Sequence, residues 1–112
     1  MTRALITPYD IARGEIVVTD PAILILASLA GGDKHGYAIM ADVEAFAGVR
    51  LGAGTLYGAI TRLEAEGWIQ GMDSDERRKP YRLTAPGRRH LEEQISGMEQ
   101  VVKAAARRLR HA

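Results

Sequence analysis

Residues 51–67, LGAGTLYGAITRLEAEG, set Gly52, Gly54 and Gly58 at the entrance to a helical pattern. Two readings compete: a glycine-rich phosphate loop, or a helix with a bare outer face. A dinucleotide-binding loop needs a buried strand directly before it and an acidic residue about twenty positions on, and a Walker loop needs Gly-Lys-Ser/Thr. Here Val49-Arg50-Leu51 follows the end of a helical pattern, and no lysine appears after Gly54 until Lys79. The helix reading is consistent throughout. Leu56, Ile60 and Leu63 fall at i, i+4 and i+7 and make one apolar face, and Gly67 supplies a left-handed C-terminal cap. At about 100° per residue, Gly54, Tyr57, Gly58, Thr61 and Ala65 lie on the opposite face, with Arg62 at its flank.

Upstream, Thr19 or Asp20 before Pro21 starts a helix that ends at Gly31-Gly32. A second helix starts near Gly36, carries Ile39, Met40, Val43 and Phe46 on a stripe expected to face the core, and ends by Gly48. Downstream, WIQGM and KPYRL read as two strands around the turn DSDERR, and Pro80, lacking a donor, puts the second strand on an edge. Tyr81 alternates inward with Leu83, and Trp68 at the start of the first strand reads as packing. Thr84 caps a last helix in which Leu91, Ile95, Met98, Val102, Ala105 and Leu109 repeat at alternating four and three. Such a seam in so short a chain calls for a second copy to cover it, the alternative being that the helix folds back on the first helix. Residues 1–18 hold one weak turn signal, Thr7 to Asp10, and receive no element.

At 112 residues, 46% hydrophobic and 26% charged, the chain has the size and composition of one globular domain. It has no cysteine, hence no disulfide and no thiolate chemistry. Its longest apolar stretch, PAILILASLAGG from Pro21, is too short to span a bilayer and is flanked by Asp20 and Asp33, so a cytoplasmic protein is expected. The net charge of +1 hides an uneven layout: 4 basic against 6 acidic residues through Gly52, 5 against 5 from Ala53 to Leu83, and 6 against 3 thereafter. Arg77, Arg78, Lys79, Arg82, Arg88 and Arg89 form a cationic run with no acidic residue among them, readable as a solvated face or a binding patch. His35, His90 and His111 are too scattered for a metal site, and Glu92 and Glu93 point about 100° apart and cannot act as an acid–base pair. No catalytic group, cofactor or metal is expected, and the chain does not read as an enzyme. His35, in the turn before Gly36, either hydrogen-bonds locally or approaches a phosphate.

Small residues on an exposed helix face allow close approach to a surface, and a B-DNA major groove, about 12 Å wide, admits such a helix. Three helices and a cationic hairpin make a mainly α fold with a small β-hairpin wing, the winged helix-turn-helix, followed by a long C-terminal dimerisation helix. Residues 1–83 form the lead and DNA-binding domain, and residues 84–112 the dimerisation helix.

HGYAIM, GTLYGAITRLEAEGWI and RRKPYRLTAPGRRHL, in that order, resemble the PadR family of winged-helix transcriptional regulators, from about Pro21 into the last helix. Gly58 stands where that family usually has proline, and the single C-terminal helix resembles its smaller subfamily. The resemblance implies a homodimeric DNA binder, mostly a repressor of nearby genes, released in some members by a small-molecule effector between the subunits. It implies Tyr37 beside the DNA backbone, Thr55 and Tyr57 on the reading helix, and Arg78 and Lys79 on the wing. The chemistry agrees: the Tyr37 and Tyr57 hydroxyls can donate to phosphate, Thr55 and Thr61 can meet base edges or a thymine methyl, and the basic pair can displace counterions. Tyr37 has a second reading, half-buried beneath the second helix. Two copies imply double-stranded DNA with a pseudo-palindromic operator. No aromatic residue lies in 85–112, so stacking of a flat effector there is not expected; Tyr9, Trp68, Ile95 and Met98 could line a pocket instead. The alternative is a dimeric winged-helix module that binds protein or ligand without DNA, supported by Asp73, Asp75 and Glu76 at the wing tip.

Overall fold

The computed structural model describes residues 20–72 and 79–111. The described chain is mostly helical, with four helices and a small antiparallel sheet: α1 (Pro21–Ala30), β1 (Lys34–His35), α2 (Gly36–Ala47), α3 (Ala53–Ala65), β2 (Ile69–Gly71), β3 (Pro80–Leu83) and α4 (Ala85–Arg110).

The first helix starts where a cap is available: Asp20 Oδ1 accepts from the Ala22 amide at 3.0 Å, and Pro21 occupies the first turn without losing a bond. It is apolar nearly all round because it is the central post, packed by α2, α3, α4 and β3. Leu24, Ile25, Leu26 and Leu29 are buried, and Ser28, the one buried polar side chain among the described residues, donates to Asp42 Oδ2 on α2 at 2.7 Å. Ile39 and Val43 of α2, Leu56, Ile60 and Leu63 of α3, and Leu91 of α4 complete the core around that post.

Three sequence expectations change here. Phe46 lies at the same helical angle as Ile39 but is 44% exposed, because the buried part of α2 ends at Val43 and its last turn runs past the core. Pro80 is not on an edge strand. Strand β3 is central, in the order β1-β3-β2, because Lys34–His35, too short to announce a strand, pairs with Tyr81 and Pro80 on its other side. Proline is tolerated because it is the first residue of β3, where its carbonyl accepts from the Met72 amide at 2.8 Å and no ladder donor is needed. Leu91, expected on the seam of the last helix, is buried in the chain's own core at 6% exposure; the first two turns of α4 are rooted against α1.

The turn from α3 into β2 requires Gly67, whose φ of 80° is costly for any residue with a Cβ. Thr84 locks the other end: its hydroxyl donates to the Gly67 carbonyl at 2.6 Å and accepts from the Gly87 amide at 3.0 Å, capping α4. Beyond Leu91 no α4 side chain is buried, and the described chain is 57 Å long against 28 and 20 Å across. No described helix is long and apolar enough to cross a membrane.

Candidate nucleic-acid interface

Helix α3 begins at Gly52, which offers no side chain to cap it, so the first-turn amides are open to an anion. Along its outer face Gly54, Thr55, Tyr57, Gly58, Thr61 and Arg62 are all exposed, while Leu56, Ala59, Ile60 and Leu63 are buried beneath. The Thr61 hydroxyl donates to the Tyr57 carbonyl at 2.9 Å, so its oxygen keeps only acceptor capacity for a further partner. Space around Gly54 and Gly58 is open: a Cβ at either would meet nothing within 4 Å.

Tyr57, 45% exposed, joins this face to the start of α2. Its phenol lies so close over Gly36 that any Cβ there would collide with the hydroxyl. Close approach of two helices explains why glycine precedes Tyr37 and why tyrosine follows Leu56. His35 is the N-cap of α2, its Nδ1 accepting from the Ala38 amide at 3.4 Å, which leaves Nε2 as the donor nitrogen. Tyr37 is 74% exposed on the same helix end, so the half-buried alternative does not hold.

On the wing, Lys79 is exposed and its ammonium sits 5.9 Å from the centroid of the Tyr81 ring. Arg77 and Arg78 lie outside the described residues, as does the acidic tip from Asp73 to Glu76. Tyr81 is buried as expected, and its phenol pKa is raised, first by burial and then by the charges of Glu64 and Tyr57. Helix α3 packs against β2 of the sheet, where the Gly71 amide donates to Glu64 Oε2 at 3.2 Å.

The cationic run is less uniform than its sequence. Arg82 donates through Nε and Nη2 to Asp33 Oδ2 at 3.1 and 3.0 Å, a partner 49 residues away that no local pattern announces. Lys34 donates to the Ser28 and Gly32 carbonyls at 2.6 and 3.2 Å, closing the α1–α2 turn, and Arg50 pairs with Glu44 at 3.1 Å. Trp68 stacks on His90 with ring centroids 3.7 Å apart, a packing role joining β2 to α4. Trp68 lines a hollow with Ala22, Leu63 and Glu66, whereas Met98 and Val102 line another on α4. Trp68 and Met98 thus line different hollows of the single chain, and Tyr9 lies outside the described residues. No group of three His, Asp or Glu side chains that could hold a metal occurs among the described residues.

A helix with an open N-terminus and a small-residue outer face, backed by a helix-turn and flanked by a hairpin, defines the DNA-binding class of winged helix-turn-helix proteins. The model of the transcriptional regulator PadR-like family matches residues 25–93, and the chain belongs to that family, whose members regulate transcription and are not enzymes. As a member of that family it is a transcriptional regulator. A PadR family transcription regulator from Clostridium difficile is 31% identical, with TM-score 0.71 over 80% of this chain and 97% of that one. A transcriptional regulator from Clostridium thermocellum is 26% identical, with TM-score 0.70 over 81% and 97%. An uncharacterized 37.1 kDa protein in transposon TN4556 of Streptomyces fradiae is 43% identical over 82 residues, 73% of this chain; those residues span 24% of that relative's length.

Proposed function

We propose that this regulator is a homodimeric repressor. Helix α3 enters the major groove, with Thr55, Thr61 and Arg62 toward base edges and Gly54 and Gly58 permitting close approach. His35, Tyr37 and Tyr57 face phosphates from the α2 side, and Arg77, Arg78 and Lys79 of the wing meet the backbone or the neighbouring minor groove. Segment 84–112 is the dimerisation helix, with Ile95, Met98, Val102, Ala105 and Leu109 on its seam, while residues 1–83 form the lead and the DNA-binding domain. Two copies put their α3 helices about 34 Å apart and read half-sites one turn apart in a pseudo-palindromic operator. A dimer seated on a promoter excludes polymerase, which is repression, and such a protein works in the cytoplasm. Release by a small-molecule effector entering between the subunits belongs to the same reading, with Met98 and Val102 lining the hollow that would receive it.

One observation carries this: the α3 face has small and hydroxyl-bearing residues exposed beside an uncapped helix start, a surface suited to a groove and phosphates rather than to an apolar partner. The test is fluorescence anisotropy of the chain on DNA from upstream of its own gene, against scrambled DNA, across several salt concentrations. Selective binding that weakens steeply with salt is expected, the slope giving the number of phosphates neutralised. Salt-insensitive binding, or none to any duplex in a random library, overturns it.

A further inference from the structure

If α3 and the wing grip one duplex together, their relative placement decides whether both engage at once. Strand β2 is an edge strand, and the bonds that flank its ladder, Thr84 amide to Trp68 carbonyl at 3.1 Å and Met72 amide to Pro80 carbonyl at 2.8 Å, fix which of its pairs are hydrogen-bonded. Between them Gly71 faces Tyr81 as a non-hydrogen-bonded pair, so its N–H points away from β3 toward the open edge. That donor is met from α3: Glu64 Oε2 accepts from the Gly71 amide at 3.2 Å.

The absence of a side chain at Gly71 is what lets the carboxylate in. A Cβ there would stand 2.9 Å from Lys79 Cδ and 3.0 Å from Glu64 Oε2, so the Lys79 stem crosses the strand at the same point where Glu64 reaches it. Glu64 is exposed and negative on the helix that approaches DNA, a placement that electrostatics alone disfavours. A charge-assisted bond to an otherwise unpaired edge amide is a reason for a carboxylate here.

We propose that Glu64 is a positioning residue for DNA binding: its carboxylate ties α3 to the wing through the Gly71 amide, and so fixes where Lys79 meets the phosphate backbone, without itself touching DNA. This rests on the DNA-binding reading above. It assigns a role to a residue that the sequence presents only as a solvated charge.

Glutamine keeps the accepting oxygen and removes the charge, whereas alanine removes both. Anisotropy titrations would use one operator duplex, selected by the wild-type dimer from a random library, at several salt concentrations, with exchange of the Gly71 amide followed by NMR without DNA. Glu64→Ala is expected to bind roughly 5- to 10-fold more weakly than Glu64→Gln, the size of one hydrogen bond. Its slope of log affinity against log salt should be shallower by about 0.9, one phosphate contact. In a Lys79→Ala background Glu64→Ala should change affinity little further. Equal affinities for the two Glu64 variants, whether tighter than wild type or unchanged, would overturn the proposal, since a carboxylate that only repels phosphate predicts equality. If the wild-type chain selected no duplex, the DNA-binding reading itself would fall, and this proposal with it; faster Gly71 exchange in Glu64→Ala would still report the α3–wing tie as a separate fact.

Discussion

Two helices of this protein leave a face uncovered, and the two faces differ in chemistry. The outer face of α3 carries glycine, threonine, tyrosine and arginine, with Glu64 exposed on the same helix; on α4 the exposed large apolar residues are Ile95, Val101, Val102 and Leu109, at 41, 68, 65 and 78%. Apolar area in water is unfavourable by roughly 25 cal/mol per Å², so the α4 face gains by meeting another apolar face, and a second copy presents an identical one. The α3 face has little apolar area to gain from burial. Its value lies in the small radius of the helix at Gly54 and Gly58 and in hydroxyls that can be repaired by hydrogen bonds on a polar surface. One uncovered face fits a protein partner and the other a nucleic acid.

The largest expected effect breaks the α4 side. In the proposed dimer Met98→Glu puts a charge into the seam twice, once from each copy, and removing charges from water costs several kcal/mol per ion. The dimer dissociation constant should rise at least ~100-fold by sedimentation. Because Met98 lies beyond the rooted turns of α4, protomer stability in urea should move by no more than about 0.5 kcal/mol. Operator affinity should fall with the dimer, since two linked α3 helices bind more tightly than one. A variant that remains dimeric would move the partner off this seam.

A matched pair of glycines sharpens the contrast. Gly58 on α3 and Gly97 on α4 are both mid-helix, both exposed, and a Cβ at either would meet nothing within 4 Å. Alanine at each should stabilise its helix by about 1 kcal/mol, read as a rise in melting temperature. Only Gly58→Ala should weaken operator binding, because Gly97 lies across the helix from the Ile95–Met98–Val102 seam. Equal, unchanged DNA affinity for both would mean that α3 does not approach the duplex through Gly58.

The fold was legible where a local rule governs. Helix starts at Asp20 and Thr84, the stop at Gly67 and the buried stripe of Leu56, Ile60 and Leu63 each follow from a few adjacent residues, and the structure keeps them. What stayed hidden depends on partners distant in the chain. A two-residue strand has no periodicity, and only its pairing with Tyr81 makes it one and moves Pro80 inward. The Arg82–Asp33 pair, the Tyr57–Gly36 contact and the Glu64–Gly71 bond likewise join positions that no local spacing connects. Leu91 is periodic with the seam and with the core alike, since one helix face can serve first the protomer and then its partner. At the candidate site, residue types and helix angle were readable from sequence, whereas which cations are engaged by the protein was not.

The smallest expected effect separates the two faces by pH. Tyr81, on the central strand of the sheet that α3 packs against, is 8% exposed, and burial with the Glu64 and Tyr57 charges raises its phenol pKa above the ordinary value of about 10. Below that value the phenol is protonated in both folded and unfolded chains and stability does not vary with its titration. Between that value and the higher folded one, the unfolded chain loses the proton first and is favoured, by about 1.4 kcal/mol per pH unit at full titration. Urea midpoints should therefore fall more steeply above pH 10 for the wild-type chain than for Tyr81→Phe, and near neutral pH the difference between the two should no longer change with pH. None of Ile95, Met98, Val102 and Leu109 ionises, so dimerisation of folded protomers should be indifferent to the same substitution. A dimer weakened by Tyr81→Phe at neutral pH would show that the sheet beneath α3 and the seam of α4 communicate, and the two faces would no longer be independent.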